Sequence, residues 1–166
     1  GTGKTTIFRL VTGELDPDGG VIERMRRARI AHLGQMRNVK EISGDRQVLT
    51  IFDAVMSTFR DLIEMEHELN RLGDDLSNGN ESVLKRYSDL QQSFSSRGGY
   101  EFRTTVKRVL HGLGFTMDDF NLPLTALSGG QRTRLMLALV LLEDADLLLL
   151  DEPENHLDIE AQEWLE

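Results

Sequence analysis

The sequence predicts an α/β fold in which a small strand-containing core carries a mostly helical insertion. A run of four leucines, Leu147–Leu150, lies between acidic residues, which is typical of a fully buried central strand. A second apolar run at 30–33 predicts another strand. Between these strands, apolar residues recur at steps of three and four over about 49–115, and this spacing predicts helices.

The amino-terminal segment predicts a short helix over 4–11, since its apolar residues are spaced for one helical face and Gly13 follows where a helix would end. After a turn rich in Asp and Gly, the apolar pair at 21–22 predicts a strand. The basic run at 24–29 could contact phosphate, but a solvated hairpin or strand edge is the more ordinary interpretation.

Within the helical region, two apolar stripes predict a helical hairpin over about 60–97. The stripes flank a turn at 77–80 and consist of Leu62, Met65, Leu69, Leu72 and Leu76, then Val83, Tyr87, Leu90 and Phe94. One interpretation is a pair of helices packed within a subdomain. The other is a protruding antiparallel arm, which the dense charge between the stripes favours. Gly98 and Gly99 break the pattern before a third helix over about 102–113.

The composition excludes several classes of protein. A formal net charge of −9 argues against a protein that coats nucleic acid or anionic membrane by bulk charge, although local basic patches stay open. The lack of cysteine excludes disulfides, thiolate metal sites and thiol nucleophiles. The longest apolar run, Leu135–Leu142, is far shorter than the roughly 20 residues that cross a bilayer, so we expect no direct membrane insertion.

The first six residues, GTGKTT, match the second half of the phosphate-binding pattern G-x-x-x-x-G-K-[ST], with Gly1 and Gly3 as its glycines. In such a loop, backbone amides at a helix N-terminus hold phosphate oxygens. Interpreted in this way, Lys4 contacts the β and γ phosphates, Thr5 binds Mg²⁺ through its hydroxyl, and Thr6 contacts the α phosphate. A glycine turn that simply caps a helix explains these six residues about equally well.

Two acidic residues, Asp151 and Glu152, directly follow the leucine run. An Asp at the tip of a buried strand can hold Mg²⁺ directly or through water, and an adjacent Glu can orient or deprotonate an attacking water. A helix-capping turn would also explain the pair, but this alternative weakens when Lys4 and Thr5 are considered together with it. The two motifs together point to one nucleotide site.

A third pattern, LSGGQ at 127–131, places Ser128 and two glycines at the start of a helix predicted over 128–142. A serine hydroxyl and the amides of Gly129 and Gly130 at a helix N-terminus form a natural anion site. From the residues alone this is a second phosphate site, for which a helix cap is again the alternative.

These motifs, in this order, resemble the ATP-binding cassettes of the ABC ATPase family along nearly the whole chain. The resemblance rests on GTGKTT, Gln35 after the 30–33 strand, LSGGQ, LLLLDEP at 147–153, and NHLD at 155–158. DEPENHLD looks like the DEPTNHLD of the ABC-F subfamily, whose members are soluble tandem-cassette ATPases, many of them acting on the ribosome. The hairpin lies where ABC-F proteins carry a helical arm, and GGYE at 98–101 looks like the run that follows the arm of a first, N-terminal cassette.

The resemblance implies a P-loop NTPase fold, an ATP-binding cassette with a helical subdomain and a helical-hairpin arm, truncated at both ends. The partial α/β nucleotide-binding core is expected at 1–35 and 142–166. The helical subdomain is expected at 36–141, with the arm hairpin at about 60–97 and the signature helix at 128–142. We expect this incomplete cassette to hydrolyse ATP weakly or not at all in isolation.

The resemblance also implies a role for each motif residue. ATP and Mg²⁺ are the expected cofactors, with Thr5, Gln35 and Asp151 at the metal and with Glu152 and Gln35 as the catalytic residues. The expected nucleotide-binding residues are Gly1, Gly3, Lys4, Thr5 and Thr6, followed by Ser128, Gly129, Gly130 and Gln131. In this family the signature of one cassette closes over ATP bound to the other, so the expected partner is a second cassette of the same chain, arranged head to tail.

Three functions are compatible with a cassette. The first is a cytoplasmic ATPase whose closure acts on the ribosome, with rRNA or tRNA as contacts. The second is the ATP-hydrolysing subunit of an ABC membrane transporter, and the third is a non-hydrolysing structural cassette. The arm and NHLD favour the first over the second, and Lys4 and Glu152 count against the third. Scattered cations along the arm are more ordinary as solvated faces than as RNA contacts.

Overall fold

The computed structural model describes residues 3–23, 25, 28–32, 49–76, 81–143, 145–150, 157 and 159–165 of the 166-residue chain. The helices in this part are α1 (Lys4–Thr12), α2 (Ile51–Met56), α3 (Arg60–Asp75), α4 (Glu81–Ser96), α5 (Phe102–Gly112), α6 (Gly129–Leu142) and α7 (Ile159–Leu165). The strands are β1 (Ile30–His32) and β2 (Leu147–Leu149). The described residues are thus mostly helical with a small parallel sheet, and no described helix is both long and apolar enough to span a bilayer.

The amino-terminal segment confirms the predicted helix and corrects the predicted strand. Helix α1 ends at Gly13, whose φ of 81° is the left-handed conformation that commonly closes helices. Residues 21–22 form no strand, and Val21 is 86% exposed, because no described strand lies beside this pair to hydrogen-bond with it. Within the basic run, Arg24, Arg26 and Arg27 lie outside the described residues.

The main core lies between α2, α5 and α6. Ile51, Leu110 and Leu135 are fully buried there, and burial of such side chains stabilises a fold by roughly 1.5–3 kcal/mol each. Helix α2 begins at Ile51 because Thr50 forms a capping box with Asp53, each residue accepting a hydrogen bond from the other's backbone N–H at 3.1 Å. This core supports the helix that carries LSGGQ.

Helices α3 and α4 form an antiparallel hairpin, as the two apolar stripes predicted. Asp61 near the start of α3 pairs with Arg97 beyond the end of α4, whereas Gly73 near the end of α3 lies against Tyr87 in the first half of α4. A second, smaller core at the base of the hairpin consists of Leu62, Leu69, Phe94 and Phe102. The division of the chain into core, subdomain and arm stays a prediction.

The two glycines after α4 turn the chain toward α5. Gly98 has a φ of 75°, and Gly99 is pressed against Phe94, where a Cβ would lie 2.5 Å from the phenyl ring. No side chain larger than hydrogen fits Gly99 without moving that buried ring. The predicted break between the second and third helices is therefore confirmed, and it serves to bring α5 back onto the hairpin base.

The sheet pairs β1 with β2 in parallel, with Ile30 opposite Leu147 and His32 opposite Leu149. At the amino end of β2, the Asp146 carboxylate accepts the Arg29 N–H at 2.8 Å. The expectation of a fully buried leucine strand is wrong for Leu147, which is 41% exposed, while Leu149 is buried. The reason is that, among the described residues, β2 is hydrogen-bonded to β1 alone.

Candidate functional site

The first motif places Gly3 at the N-cap of α1. Gly3 has a φ of 76°, a left-handed conformation that costs glycine nothing sterically, and its carbonyl accepts the Ile7 N–H at 3.0 Å. Lys4, Thr5 and Thr6 form the first helical turn and are exposed. The positive end of the helix dipole lies at this turn, so the arrangement suits an anion. Gly1 lies outside the described residues.

Ser128 stands at the N-cap of α6 and forms a capping box with Gln131. The serine Oγ accepts the Gln131 N–H at 3.2 Å, and the Gln131 Oε1 accepts the Ser128 N–H at 3.0 Å. A hydroxyl that accepts a hydrogen bond still has its own proton to donate. The two interpretations of this motif, helix cap and anion site, are therefore compatible with one another.

Gly129 and Gly130 form an open face at the start of α6. Both are exposed, and no described group beyond their own helix would come within 4 Å of a Cβ at either position. Neither has the positive φ that only glycine adopts easily, and glycine costs a helix about 1 kcal/mol relative to alanine. Since neither packing nor backbone conformation requires glycine here, the open face suits a group that approaches from outside.

The segment before α6 is fixed to the start of α2. The Ile51 N–H donates to the Leu122 carbonyl at 3.1 Å, and the Leu124 N–H donates to the Leu49 carbonyl at 2.9 Å. Leu127 is buried directly before the cap serine. The exposed start of α6 is therefore attached to the main core by the segment that precedes it.

The carboxyl ends of β1 and β2 lie side by side, since His32 pairs with Leu149. Ligands of open parallel sheets bind beyond such ends. In the sequence, Gln35 follows β1 closely, and Asp151 and Glu152 follow β2 closely. These three residues lie outside the described ones, as do Asn155, His156 and Asp158, so their arrangement stays a prediction.

The expected metal ligands form a chemically consistent set. Thr5 supplies a hydroxyl from the exposed start of α1, and Gln35 and Asp151 would add an amide oxygen and a carboxylate. Mg²⁺ prefers oxygen ligands of these kinds. The residue types therefore fit Mg²⁺, and Thr5 is the member of the set whose position the structure describes.

One contact in the described residues is not indicated by any motif. Trp164 of α7 lies on Gly112 at the end of α5. The signal available in the sequence was a single tryptophan and a glycine inside a helical pattern. Neither residue type indicates which distant residue it contacts, so this pair could be identified only from the structure.

Comparison with known proteins gives the family. The family model described as "ABC transporter" matches residues 1–155. The chain is 34% identical to the tylosin resistance ATP-binding protein TlrC of Streptomyces fradiae, over 100% of this chain and 30% of that protein. It is 33% identical to the ATP-binding protein Uup of Haemophilus influenzae and 31% identical to the ABC transporter F family member 5 of Arabidopsis thaliana, in each case over 100% of this chain and 24% of the relative.

The chain spans only part of such relatives, between 24% and 32% of the length of the curated proteins it matches. Within that span, the similarity runs through the described helix starts at Gly3 and Ser128 as well as through the strand Leu147–Leu149. The chain therefore belongs to the ABC transporter family, as part of an ATP-binding cassette whose full-chain relatives include ABC-F proteins.

Proposed function

We propose that this chain binds and hydrolyses ATP as part of an ABC-F type cassette, and that its closure on a second cassette acts on the ribosome. The observation that carries the proposal is the pair of exposed, glycine-bearing helix starts, at Gly3 on α1 and at Gly129 and Gly130 on α6. Both present first-turn amides with no bulky side chain in front of them, as recognition of phosphate oxygens requires.

The start of α1 is the proposed site for the chain's own nucleotide. The Lys4 ammonium and the first-turn amides hold the β and γ phosphates, and Thr6 contacts the α phosphate. Thr5, Gln35 and Asp151 would hold Mg²⁺, which when bound neutralises charge that develops on the phosphates.

Hydrolysis then needs a positioned water and a proton acceptor. Glu152 is the proposed acceptor, and Gln35 orients the water. The water oxygen bonds to the γ phosphorus while the bond from that phosphorus to the β–γ bridging oxygen breaks, and the water proton passes to the Glu152 carboxylate. The products are ADP and inorganic phosphate.

The start of α6 is the proposed site for the nucleotide of a second cassette. The Ser128 hydroxyl can donate to a γ-phosphate oxygen while it accepts the Gln131 N–H, and Gly129 and Gly130 leave room for that phosphate. ATP would thus bridge two cassettes head to tail, and loss of the γ phosphate would release them. We assign 1–35 and 142–166 to the nucleotide-binding core and 36–141 to the helical subdomain.

The ribosome is the proposed target, and the cytoplasm the proposed location. The hairpin of α3 and α4, the NHLD sequence and the full-chain similarity to a member of the F family support this choice over a transporter motor. A transporter motor needs a groove for its membrane partner, whereas a projecting hairpin suits a large soluble partner.

The test uses the complete gene product that carries this chain. The substitution Glu152→Gln should leave ATP binding intact and reduce the rate of hydrolysis. Sedimentation with ribosomes is measured with and without ATP. We expect co-sedimentation that requires ATP. A matched variant that also carries Lys4→Ala should lose it, because the second change removes the phosphate contact that ATP-driven closure needs.

Each of the other outcomes points elsewhere. If the Glu152→Gln protein ignores ribosomes and partitions with membranes, the transporter motor replaces the proposed function. The hydrolytic part of the proposal is wrong if the unmodified protein does not hydrolyse ATP, or if the Glu152→Gln variant hydrolyses ATP equally fast.

A further inference from the structure

Arg134 of α6 contacts the loop that follows α5. Its guanidinium Nη1 donates a hydrogen bond to the carbonyl oxygen of Leu113 at 3.3 Å, and its Cζ lies 5.3 Å from the centroid of the Phe115 ring. A guanidinium within about 6 Å of a ring centroid is attracted by the π electrons of that ring. Arg134 is half-buried, so water competes only in part for these two contacts.

The groups that Arg134 contacts are themselves held in place. Leu113 is the C-cap residue of α5 and is fully buried, and Phe115 is 2% exposed in the main core. The last carbonyls of a helix lack partners within that helix, and Arg134 supplies one from another helix. The Thr116 hydroxyl and N–H close the rest of the loop by donating to the Asp119 carboxylate. These bonds lower the pKa of the Asp119 carboxyl, and the charge of Arg134 lowers it further.

Core packing holds the second half of α6 more than its start. The buried side chains of this helix lie between Leu135 and Leu142, whereas residues 129–134 are exposed or half-buried. Arg134 follows Gly130 by four residues, which places the two on one face of the helix, about 6 Å apart along its axis. The contacts of Arg134 therefore attach α6 to the end of α5 within one turn of Gly130.

These contacts also limit the rotation of α6 about its axis. A carbonyl oxygen and a ring face together set the direction of one guanidinium, and the helix that carries it turns with it. The cap residue belongs to the same unit, because the Arg132 N–H donates to the Ser128 carbonyl at 2.9 Å. The rotation of α6 thus decides where the Ser128 hydroxyl and the first-turn amides point.

We propose that Arg134 is a positioning residue for ATP hydrolysis, which orients the Ser128 hydroxyl and the first-turn amides of α6 by fixing this helix to the end of α5. The inference rests on the proposed function, since it assumes that the start of α6 binds the phosphate of a second cassette. Misplacement of such groups by about 1 Å can cost on the order of 100-fold in rate, so a contact one turn away can control turnover.

The experiment uses the complete gene product with Arg134→Met, Arg134→Lys, Ser128→Ala, and Arg134→Met combined with Ser128→Ala. Methionine keeps a long unbranched side chain and a high helix propensity but removes the guanidinium. Arg108→Met is the matched control, because it removes the same charge from an exposed position on α5. We measure kcat for ATP hydrolysis, the dissociation constant for ATP, the thermal midpoint, and amide hydrogen exchange of residues 131–134.

Arg134→Met should lower kcat about tenfold and leave the dissociation constant for ATP within about twofold, because the start of α1 is unchanged. Arg134→Lys should retain most of kcat, since its ammonium keeps the charge and a donor for the Leu113 carbonyl. The loss in the double variant should be smaller than the product of the two single losses, because Arg134 acts through the turn that Ser128 begins. Arg108→Met should turn over ATP at the unmodified rate.

Three results would overturn the positioning role, even if the thermal midpoint of Arg134→Met fell. They are an unchanged kcat in Arg134→Met, an equal loss in Arg108→Met, and fully multiplicative losses in the double variant. If the unmodified protein hydrolyses no ATP, the proposed function fails separately. Hydrogen exchange then decides, since we expect faster exchange over 131–134 in Arg134→Met but not in Arg108→Met, and equal exchange contradicts the inference.

Discussion

Ser128 and Gln131 exchange two hydrogen bonds at the start of α6, in the same arrangement that Thr50 and Asp53 adopt at the start of α2. The N-cap hydroxyl accepts at 3.2 Å in α6 and at 3.1 Å in α2. Only the box in α6 is followed by two exposed glycines. The α2 box therefore serves as a reference for the contribution of a cap to folding, against which a further role of the start of α6 can be measured.

Replacing each cap residue should therefore give equal stability losses and unequal activities. Ser128→Ala and Thr50→Ala should each lower the free energy of unfolding by about 1 kcal/mol, since each removes the hydroxyl that accepts a first-turn N–H. Only Ser128→Ala should also lower ATP turnover, by roughly 10- to 100-fold, because it would remove the hydroxyl that the proposed function assigns as a donor to phosphate. Urea unfolding and steady-state hydrolysis in the complete gene product measure the two effects. Equal turnover in both variants would mean that Ser128 acts only as a helix cap.

Gly130→Ala should stabilise the protein but lower its ATP turnover. The free energy of unfolding should rise by up to about 1 kcal/mol, because alanine favours the helix and meets nothing within 4 Å. ATP turnover should fall at least tenfold, since the new methyl group would lie where the proposed function places the phosphate of a second cassette. Gly73→Ala in α3 is the control, because its Cβ would make only an ordinary contact at 3.8 Å with Tyr87. That variant should gain similar stability at unchanged turnover.

Lys4→Ala should weaken ATP binding about 10- to 100-fold, the value of one charge-assisted contact to phosphate. Arg9→Ala removes a cation from the last turn of the same helix, far from its N-terminus, and should leave the affinity nearly unchanged. Titration calorimetry of the complete gene product with ATP and Mg²⁺ gives both dissociation constants. Similar losses in the two variants would indicate a general effect of positive charge and not a phosphate site.

The helices were predictable because their signals are local. The stripe from Leu62 to Leu76 and the Gly13 stop each depend on neighbours within a few residues, and the structure confirms the helices they predict. The strand predicted at 21–22 is wrong, since a strand needs a neighbouring strand to hydrogen-bond with, and local sequence does not specify that neighbour. The contact between Trp164 and Gly112 could not be predicted from the sequence, because it too depends on a distant residue. The motif residues could be named from their spacing, whereas their arrangement depends on segments that follow the strands.

Phe94→Ala should separate the stability of the hairpin from that of the main core. Phe94 is 2% exposed in the hairpin-base core, so its truncation should cost about 3–4 kcal/mol. Leu84→Ala on the same helix removes a side chain that is 57% exposed and should cost less than about 0.5 kcal/mol. Hydrogen exchange should show the Phe94 variant opening α3 and α4 before α2 and α6. Uniform opening of all four helices would show that the two cores unfold as one unit.

Asp119 should make stability depend on pH in the acidic range. The Thr116 hydroxyl and N–H donate to its Oδ2 at 2.7 and 2.8 Å, and these bonds, helped by the charge of Arg134, lower the pKa of the Asp119 carboxyl. Because the folded pKa lies below the unfolded value of about 4, the stabilisation is present above pH 4 and is lost as pH falls through the folded pKa.

Asp119→Ala should therefore lower the free energy of unfolding by about 1 kcal/mol at pH 7, a modest value because the carboxylate is partly exposed. The difference between the variant and the unmodified protein should shrink steadily below pH 4. The exposed neighbour Asp118, replaced by alanine, is the control for loss of one negative charge. A difference that stayed constant from pH 7 to pH 3 would mean that packing, and not ionisation, gives Asp119 its effect.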